Sequence, residues 1–226
     1  MPVFNEEESI VGAISEWAPA LASVSSEAML LVVDDGSTDR TPEILASIES
    51  EHGGRVRVLR CTNRGHGQAC LAGYREALRQ GAEWIFQIDS DGQCDPRYFP
   101  SLWSRRVGAD ILYGVRTSRD DGGVRRLATN ILRLNLGLLH NAWCDDPNVP
   151  YRLMNRAALA RHLPRIPDSF YLANVALAVL MKKDRSLRHE AISIGFRERT
   201  AGRGSAGLLL FAKRAFELNR QLKSLN

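Results

Sequence analysis

Two apolar runs in this chain stop abruptly on carboxylates, and a helical pattern follows each. "MLLVV" ends at "DDGSTDRT", and "EWIFQI" ends at "DSDGQCDP". A continuous apolar run suits a strand covered on both faces. Strands that alternate with helices fold as α/β layers around a largely parallel sheet. The same rhythm holds elsewhere. "EEESIVGAISEWAPALASV" has helical apolar spacing, and "DRTPEILASIESEH" predicts a helix with Thr41 as N-cap and Pro42 in its first turn. "RVRVLRC" alternates as a strand does, "GQACLAGYREALRQG" predicts a helix closed by Gly81, and "PRYFPSLWSRRV" and "DILYGV" predict a short helix and a strand. In open sheets of this type ligands sit outside the carboxyl ends of the strands. Both acidic segments fall at such ends, so they are expected to share one site.

In the second segment Asp89, Asp91 and Gln93 alternate. In extended backbone alternate side chains point the same way, so these three would share a face. Carboxylates that close repel each other unless a cation, a base or a partner offsets them. Mg²⁺ typically takes one or two carboxylates and completes its shell with substrate phosphates. Asp, Ser and Gly are also ordinary turn formers, so a polar turn stays open as the alternative.

The second half is less regular. "VRRLATNILRLNLGLLHNAW" and "NVALAVLMKKD" predict helices, and "SLRHEAISIGFRER" predicts a strand. "DDPNVPYRLMNRAALARHL" reads as a proline-broken loop that becomes a helix, "AGRGSAG" as a flexible basic loop, and "LLLFAKRAFELNRQLKSL" as an amphipathic helix. One domain is expected over residues 1–226, with a ligand-binding half at 1–115, a second half at 116–205 and the amphipathic helix at 206–226. "PVFNEEE" reads as the loop after a strand, so the first strand is expected to be cut short.

Composition narrows the partners. The 226 residues are 44% hydrophobic and 25% charged, ordinary values for a globular protein. The net charge of +4 fits a nucleotide phosphate, an anionic lipid or a nucleic acid. Aromatics are sparse and do not interleave with Lys or Arg, which argues against nucleic acid. Cys61, Cys70, Cys94 and Cys144 lack CxxC spacing, which argues against zinc and for a reducing compartment. The acidic start is unlike a signal peptide, and "VALAVLM" and "LLLFA" fall far short of the ~20 residues that span a bilayer. The expected location is the cytoplasm or the periphery of the inner membrane face. His66 in "NRGHGQA" reads as a loop residue near the ligand rather than a catalyst, and the glycines around it lack the Lys-Ser/Thr ending of a P-loop.

"PVFNEEESI", "VVDDGSTDRT", "GHGQACLAGYREA", "QIDSDGQCDP", "LYGVRTSR" and "DPNVPYRLMNR" resemble, in order and spacing, family 2 glycosyltransferases of the GT-A fold. The nearest likeness is to the polyprenyl-phosphate sugar transferases of the dolichyl-phosphate mannose synthase group, from Pro2 to about Ser205. The resemblance implies a Rossmann-like α/β domain, a nucleotide-sugar donor, inverting transfer, and Mg²⁺ or Mn²⁺ on the diphosphate. It implies that Pro2, Phe4, Glu6, Val33, Asp34 and Asp35 line the donor's nucleoside pocket. Asp89, Ser90 and Asp91 match the DxD-type element, and Gln93 falls where lipid-phosphate members have a metal-binding Gln. Arg116 resembles an arginine near the phosphates, Arg125 and Thr129 the pair that holds an acceptor phosphate, and Arg152 the "FRL" arginine. Arg199 and Arg203 lie where the family has a donor-clamping basic loop. Asp146 has the spacing of the Asp before "FRL". The chain departs from the family in two places: it lacks the "ED" base pair of members with sugar acceptors, and it has Asn174 where lipid-phosphate members usually carry Glu. A phosphate acceptor is already an anion and needs little base assistance. The expected partners are therefore a nucleotide sugar and a polyprenyl phosphate at a membrane surface. A soluble or glycan acceptor, or a catalytically silent nucleotide-sugar-binding protein, remain the alternatives.

Overall fold

The structure, a computed structural model, describes residues 1–118, 123–170, 172–197 and 217–223, with backbone alone over 117–118 and 123–130. Three parallel strands form the first sheet in the order β1 (Pro2–Val3), β2 (Leu30–Asp34), β3 (Val56–Arg60). Helices α1 (Ile10–Ala22), α2 (Thr41–Glu51) and α3 (His66–Arg79) connect them to each other and to the second sheet. That sheet is mixed, in the order β4 (Trp84–Ile88), β6 (Tyr151–Asn155), β5 (Ile111–Ser118), β7 (His189–Gly195). β6 runs antiparallel to both neighbours, while β5 and β7 are parallel. The remaining helices are α4 (Phe99–Ser104), α5 (Gly123–His140), α6 (Arg156–His162) and α7 (Ala173–Lys183), and residues 217–223 are helical.

The expected α/β alternation is present, and Leu30, Val32 and Val33 are buried as a two-sided strand requires. Gly81 follows α3 at φ 83°, the left-handed conformation expected of it. The structure corrects three details. Pro2 and Val3, read as a loop, pair with Val33 and Asp34. Thr41 is the first helical residue of α2 rather than its cap. Its N–H donates to Asp39 Oδ1 at 2.9 Å and its hydroxyl accepts from Glu6 N–H, also at 2.9 Å. The carboxylate of Asp39 thus satisfies the early helix amide, and Thr41 is left to tie α2 to the loop after β1. The third correction is β6, which lies inside the segment read as a loop running into a helix.

Two apolar clusters flank the sheets. One gathers α3, α6 and α7 with Leu218 and Leu222 of the last helical segment. The other holds α1 against β2 and β4 through Trp17, whose ring centroid lies 5.5 Å from Phe86 and 5.9 Å from Tyr151. Tilted contacts of this kind add about 0.5–1.5 kcal/mol per pair beyond burial. Trp17 and Trp84 are packing residues, as the sequence suggests.

His162, on α6, is buried with Nε2 3.0 Å from Asp184 Oδ2. Its Nδ1 has no partner among the described residues. Burial pushes its pKa down, outweighing the Asp184 carboxylate that pulls it up. Burial lowers His189 as well. Both imidazoles therefore bind a proton less readily folded than unfolded, so acid favours the unfolded chain. Their contribution to stability is intact above the ordinary imidazole range, about pH 6.5, and falls as pH drops through it, while His66, whose pKa is raised, contributes in the opposite sense. The expected outcome is therefore read in the variant: going from about pH 7.5 to pH 5.5 should lower the thermal midpoint less in His162→Gln than in the parent. An unchanged pH dependence in that variant would show that His162 binds its proton equally well folded and unfolded.

Candidate functional site

β6 places the site. Because it runs antiparallel between β4 and β5, the loop before it returns to the carboxyl ends of both neighbours. Ile88 pairs with Tyr151, the first residue of β6, so Asp89 and the 145–150 loop lie at one edge. Cys94 Sγ donates to Pro150 O at 3.2 Å, and Tyr151 Oη to Asp95 O at 3.2 Å, which fastens the loop after β4 to the start of β6.

At the end of β2, Asp34 and Asp35 are buried. Asp34 Oδ1 accepts the Ser37 N–H at 2.9 Å, and Asp35 accepts the N–H groups of Arg64 and Gly65 at 3.0 and 2.8 Å. Gly36, next in the chain, sits at φ 72°, and a Cβ there would come within 2.7 Å of Asn63 N. Asp34 thus closes the β2 turn on itself, and Asp35 clamps that turn to the loop that opens α3. Pro2 and Val33 are buried in their strands, Phe4 is exposed, and Glu6 Oε2 accepts from Ser9 Oγ at 2.5 Å. Ser90 is buried between the two aspartates of the DxD-type element.

Asp89 Oδ1 lies 3.0 Å from His66 Nε2 and accepts from Gln87 Nε2 at 3.4 Å. The His66 ring is half exposed, at 53%. The Cys70 sulfur and the Asp89 carboxylate hold its pKa well above the ordinary imidazole value, against the burial that lowers it. Behind Asp89, Tyr74 Oη lies 3.1 Å from both Gln87 Oε1 and Asn174 Oδ1, and its one proton serves either. Burial pushes the Tyr74 phenol up, so it stays neutral. Asn174 thus ends a buried polar chain that leads to Asp89, and a Glu there would bring a second charge into it.

Asp91 Oδ1 accepts the Gln93 N–H at 3.2 Å. Gln93 Nε2 donates to Arg197 O at 3.3 Å, which leaves the amide oxygen as the atom a cation would use. No group of three or more His, Cys, Asp or Glu side chains converges on one point among the described residues. Two half-buried carboxylates at a strand end fit a cation whose shell is completed by substrate phosphates. They do not fit an all-protein cage.

Arg116, on β5, donates from Nε and Nη2 to Asp146 at 2.5 and 2.7 Å, and its guanidinium lies 5.0 Å over the Phe196 ring. The side chain of Asp146 is 4% exposed and that of Arg116 17%. Arg152 is buried under the site rather than in it, donating to Asn174 O and Pro147 O at 3.0 Å each. Arg197 donates to Asp95 Oδ2 at 3.1 Å and to Glu16 at 2.7 Å, fixing the chain just before the Gly-rich segment. Arg199 and Arg203 lie outside the described residues. Arg125 and Thr129 lie on α5, but their side chains are outside the described part.

A cavity of about 290 Å³ adjoins Asp89 through His66, lined by Arg64, Gln68, Asn148, Asp168 and Asn174 among others. The larger cavity, about 430 Å³, lies between β2 and β4 against Leu30, Leu31, Trp84 and Phe86, and includes Pro2 and Val33. None of Asp34, Asp35, Asp89 and Asp91 lines it, so size does not mark the site here. Gln87, Tyr74 and Arg197 join the site without a motif to announce them, and His66 touches Asp89 directly where the sequence suggests only a nearby loop residue. A signal does exist for Gln87, which shares the alternation of Asp89 and Asp91 inside an apolar strand.

Removing one partner of a buried ion pair strands the other, at about 3–5 kcal/mol. Asp146→Ala should therefore lose stability on that scale in urea denaturation. The double variant Arg116→Met/Asp146→Leu should recover much of the loss. A loss below about 1 kcal/mol would show that Arg116 does not depend on Asp146.

Comparison with known proteins adds three findings. Residues 1–163 match the family described as Glycosyl transferase family 2. Over 136 residues the chain is 31% identical to undecaprenyl-phosphate 4-deoxy-4-formamido-L-arabinose transferase of Pectobacterium carotovorum, a match covering 59% of this chain and 41% of that protein. The corresponding transferase of Pseudomonas fluorescens is 30% identical over 137 residues, 59% of this chain and 39% of that protein. The match thus spans about two fifths of these relatives. Among solved structures, glucosyl-3-phosphoglycerate synthase from Mycobacterium tuberculosis, in complex with Mn²⁺, UDP-glucose and phosphoglyceric acid, superposes with a TM-score of 0.72 at 21% identity, covering 99% of this chain and 77% of that one. The likeness extends the shared fold over the whole chain. Among the described residues no helix is long and apolar enough to cross a membrane.

Proposed function

Because the chain belongs to glycosyltransferase family 2, we propose that it transfers a sugar, with inversion, from a nucleotide-sugar donor of the GDP-mannose or UDP-glucose type to a polyprenyl phosphate. The observation that carries this reading is the pair Asp89 and Asp91 at the end of β4, with His66 and the Arg116–Asp146 pair at the same sheet edge. Asp89, Asp91 and the amide oxygen of Gln93 would hold Mg²⁺ or Mn²⁺. That cation supplies Lewis-acid stabilisation of the charge that develops on the leaving diphosphate.

The chain's own residues do the rest. The clamped turn of Asp34 and Asp35 shapes the floor on which the nucleoside rests. His66, held cationic beside Asp89, offsets a carboxylate that the diphosphate would otherwise repel. The acceptor phosphate attacks the anomeric carbon from the face opposite the diphosphate. It is already an anion and needs no strong base. Asp146 then serves to orient Arg116 towards phosphate oxygens rather than to take a proton, since both its oxygens accept from the guanidinium. The names of the curated relatives, transferases acting on undecaprenyl phosphate, support the lipid acceptor. A soluble acceptor is the second reading. It is favoured by the structural neighbour, which is crystallised with phosphoglyceric acid. The two readings share a phosphorylated acceptor.

The test is thermal stability with GDP or UDP, each with and without Mn²⁺. A ligand at about 100 times its dissociation constant adds roughly 2.7 kcal/mol, a readily measured shift. We expect stabilisation by one nucleotide that depends on Mn²⁺ and is lost in Asp91→Ala, while the variant alone melts as the parent does. Equal nucleotide stabilisation in Asp91→Ala would remove that residue from the cation site. Transfer of labelled sugar into an organic-extractable product separates lipid from soluble acceptors.

A further inference from the structure

An amide can serve a cation only if its oxygen faces the ion, because its nitrogen is a donor and carries none of the lone pairs the ion needs. Gln93 meets that demand through residue 197. Its carbonyl accepts the Arg197 N–H at 3.0 Å, and its side-chain Nε2 donates to the Arg197 carbonyl at 3.3 Å. Beside it, Cys94 and Phe196 pair as an isolated antiparallel bridge. The loop after β4 and the chain that leaves β7 therefore run side by side, and the position of residue 197 decides where the Gln93 amide points.

The side chain of Arg197 holds that position. Its guanidinium lies between two carboxylates, and each contact is forked. Nε and Nη2 lie 3.1 Å from the two oxygens of Asp95, and Nη1 lies 3.0 and 2.7 Å from the two oxygens of Glu16. Forked contacts of this kind fix orientation as well as distance. Asp95 is buried close behind the expected cation contacts, and Glu16 belongs to α1, whose neighbouring Trp17 is buried in the core. Arg197 and Glu16 are themselves 41% and 46% exposed, so their pair contributes little to stability. Its consequence is placement: the chain at 196–197 is fastened to the loop after β4 and to a helix anchored in the core. The same chain sets the Phe196 ring 5.0 Å from the Arg116 guanidinium, so it meets the Arg116–Asp146 pair as well.

We propose that Arg197 is a positioning residue: anchored on Asp95 and Glu16, it holds residues 196–197 so that the Gln93 amide presents its oxygen to the cation. Arg197 acts through Gln93 and is not a catalytic residue. The proposal rests on the cation site proposed above, and it extends that site to Glu16, a surface residue on α1.

The test is the Mn²⁺ concentration that gives half of the thermal stabilisation by UDP or GDP, whichever shifts the parent, at a fixed nucleotide concentration. Arg197→Met removes the donors and keeps most of the side-chain length. Asp95 retains the Arg97 N–H at 2.9 Å and the Arg97 guanidinium at 3.0 Å, so no buried carboxylate is stranded and the variant should fold. Its Mn²⁺ requirement should rise about tenfold. Glu16→Gln, at an exposed position, should raise it in the same direction with little change in the midpoint without ligand. Gln93→Ala should raise it at least as far as Arg197→Met does. Adding Arg197→Met to Gln93→Ala should raise it no further, because the arginine acts through that amide. An arginine with a merely structural role would add its effect in the double variant. Such additivity would overturn the proposal, as would an unchanged Mn²⁺ requirement in Arg197→Met beside a parent that needs the ion; the cation site itself would then stand. Parent stabilisation that ignores Mn²⁺, or none with either nucleotide, would remove the cation site and the proposal with it.

Discussion

The backbone pairing of β6 between β4 and β5 is the constraint on which the site depends. A parallel strand in that position would begin at the far edge of the sheet and carry its preceding loop away from Asp89. Running antiparallel, it returns residues 145–150 to the carboxyl ends of β4 and β5 and brings Asp146 within reach of Arg116. The strand is buried along Tyr151, Arg152, Leu153 and Met154. Arg152 is tolerated there because the carbonyls of Asn174 and Pro147 take its donors. The charge that looks functional in sequence thus holds the loop before β6 and the start of α7.

The ends of β2 and β4, in different sheets, and the loop before β6 carry Asp34, Asp35, Asp89, Asp91 and Asp146, and each has a counterweight. Backbone N–H groups serve Asp34, Asp35 and Asp91, His66 serves Asp89, and Arg116 serves Asp146. Hydrogen bonds from amides stabilise a carboxylate without adding a competing cation. Asp89 is balanced instead by a half-exposed imidazole, whose pKa the Cys70 sulfur and the carboxylate itself hold above the ordinary value.

The alternation of strands and helices was legible in the sequence because burial on both faces forces continuous apolar runs, and "MLLVV" and "EWIFQI" show them directly. The carboxylates were legible because they interrupt those runs at strand ends. β6 was not, since Pro147 and Pro150 precede it and Arg152 sits near its centre, so local pattern reads as loop. Only the pairing with β4 and β5, far away in sequence, makes "YRLMN" a strand. The contact of His66 is hidden for a related reason. A lone histidine has no partner in the sequence, and Asp89, 23 residues on, becomes one only after β4 and α3 pack. The resemblance to the family's Asp before "FRL" singles out Asp146, while its bidentate bond to Arg116 depends on strand order and no spacing rule contains it.

That bond bears on the chemistry the site can support. A general base must reach the proton it removes and must be free to accept it. Asp146 is buried, and both its oxygens accept from a guanidinium that would itself be stranded if the carboxylate were protonated. Proton transfer to Asp146 would therefore break a desolvated ion pair at the moment of reaction. A hydroxyl acceptor would require such a transfer, and a phosphate acceptor would not. The geometry that occupies both oxygens of Asp146 is the geometry that holds Arg116 in place. Both consequences favour a nucleophile that arrives already charged.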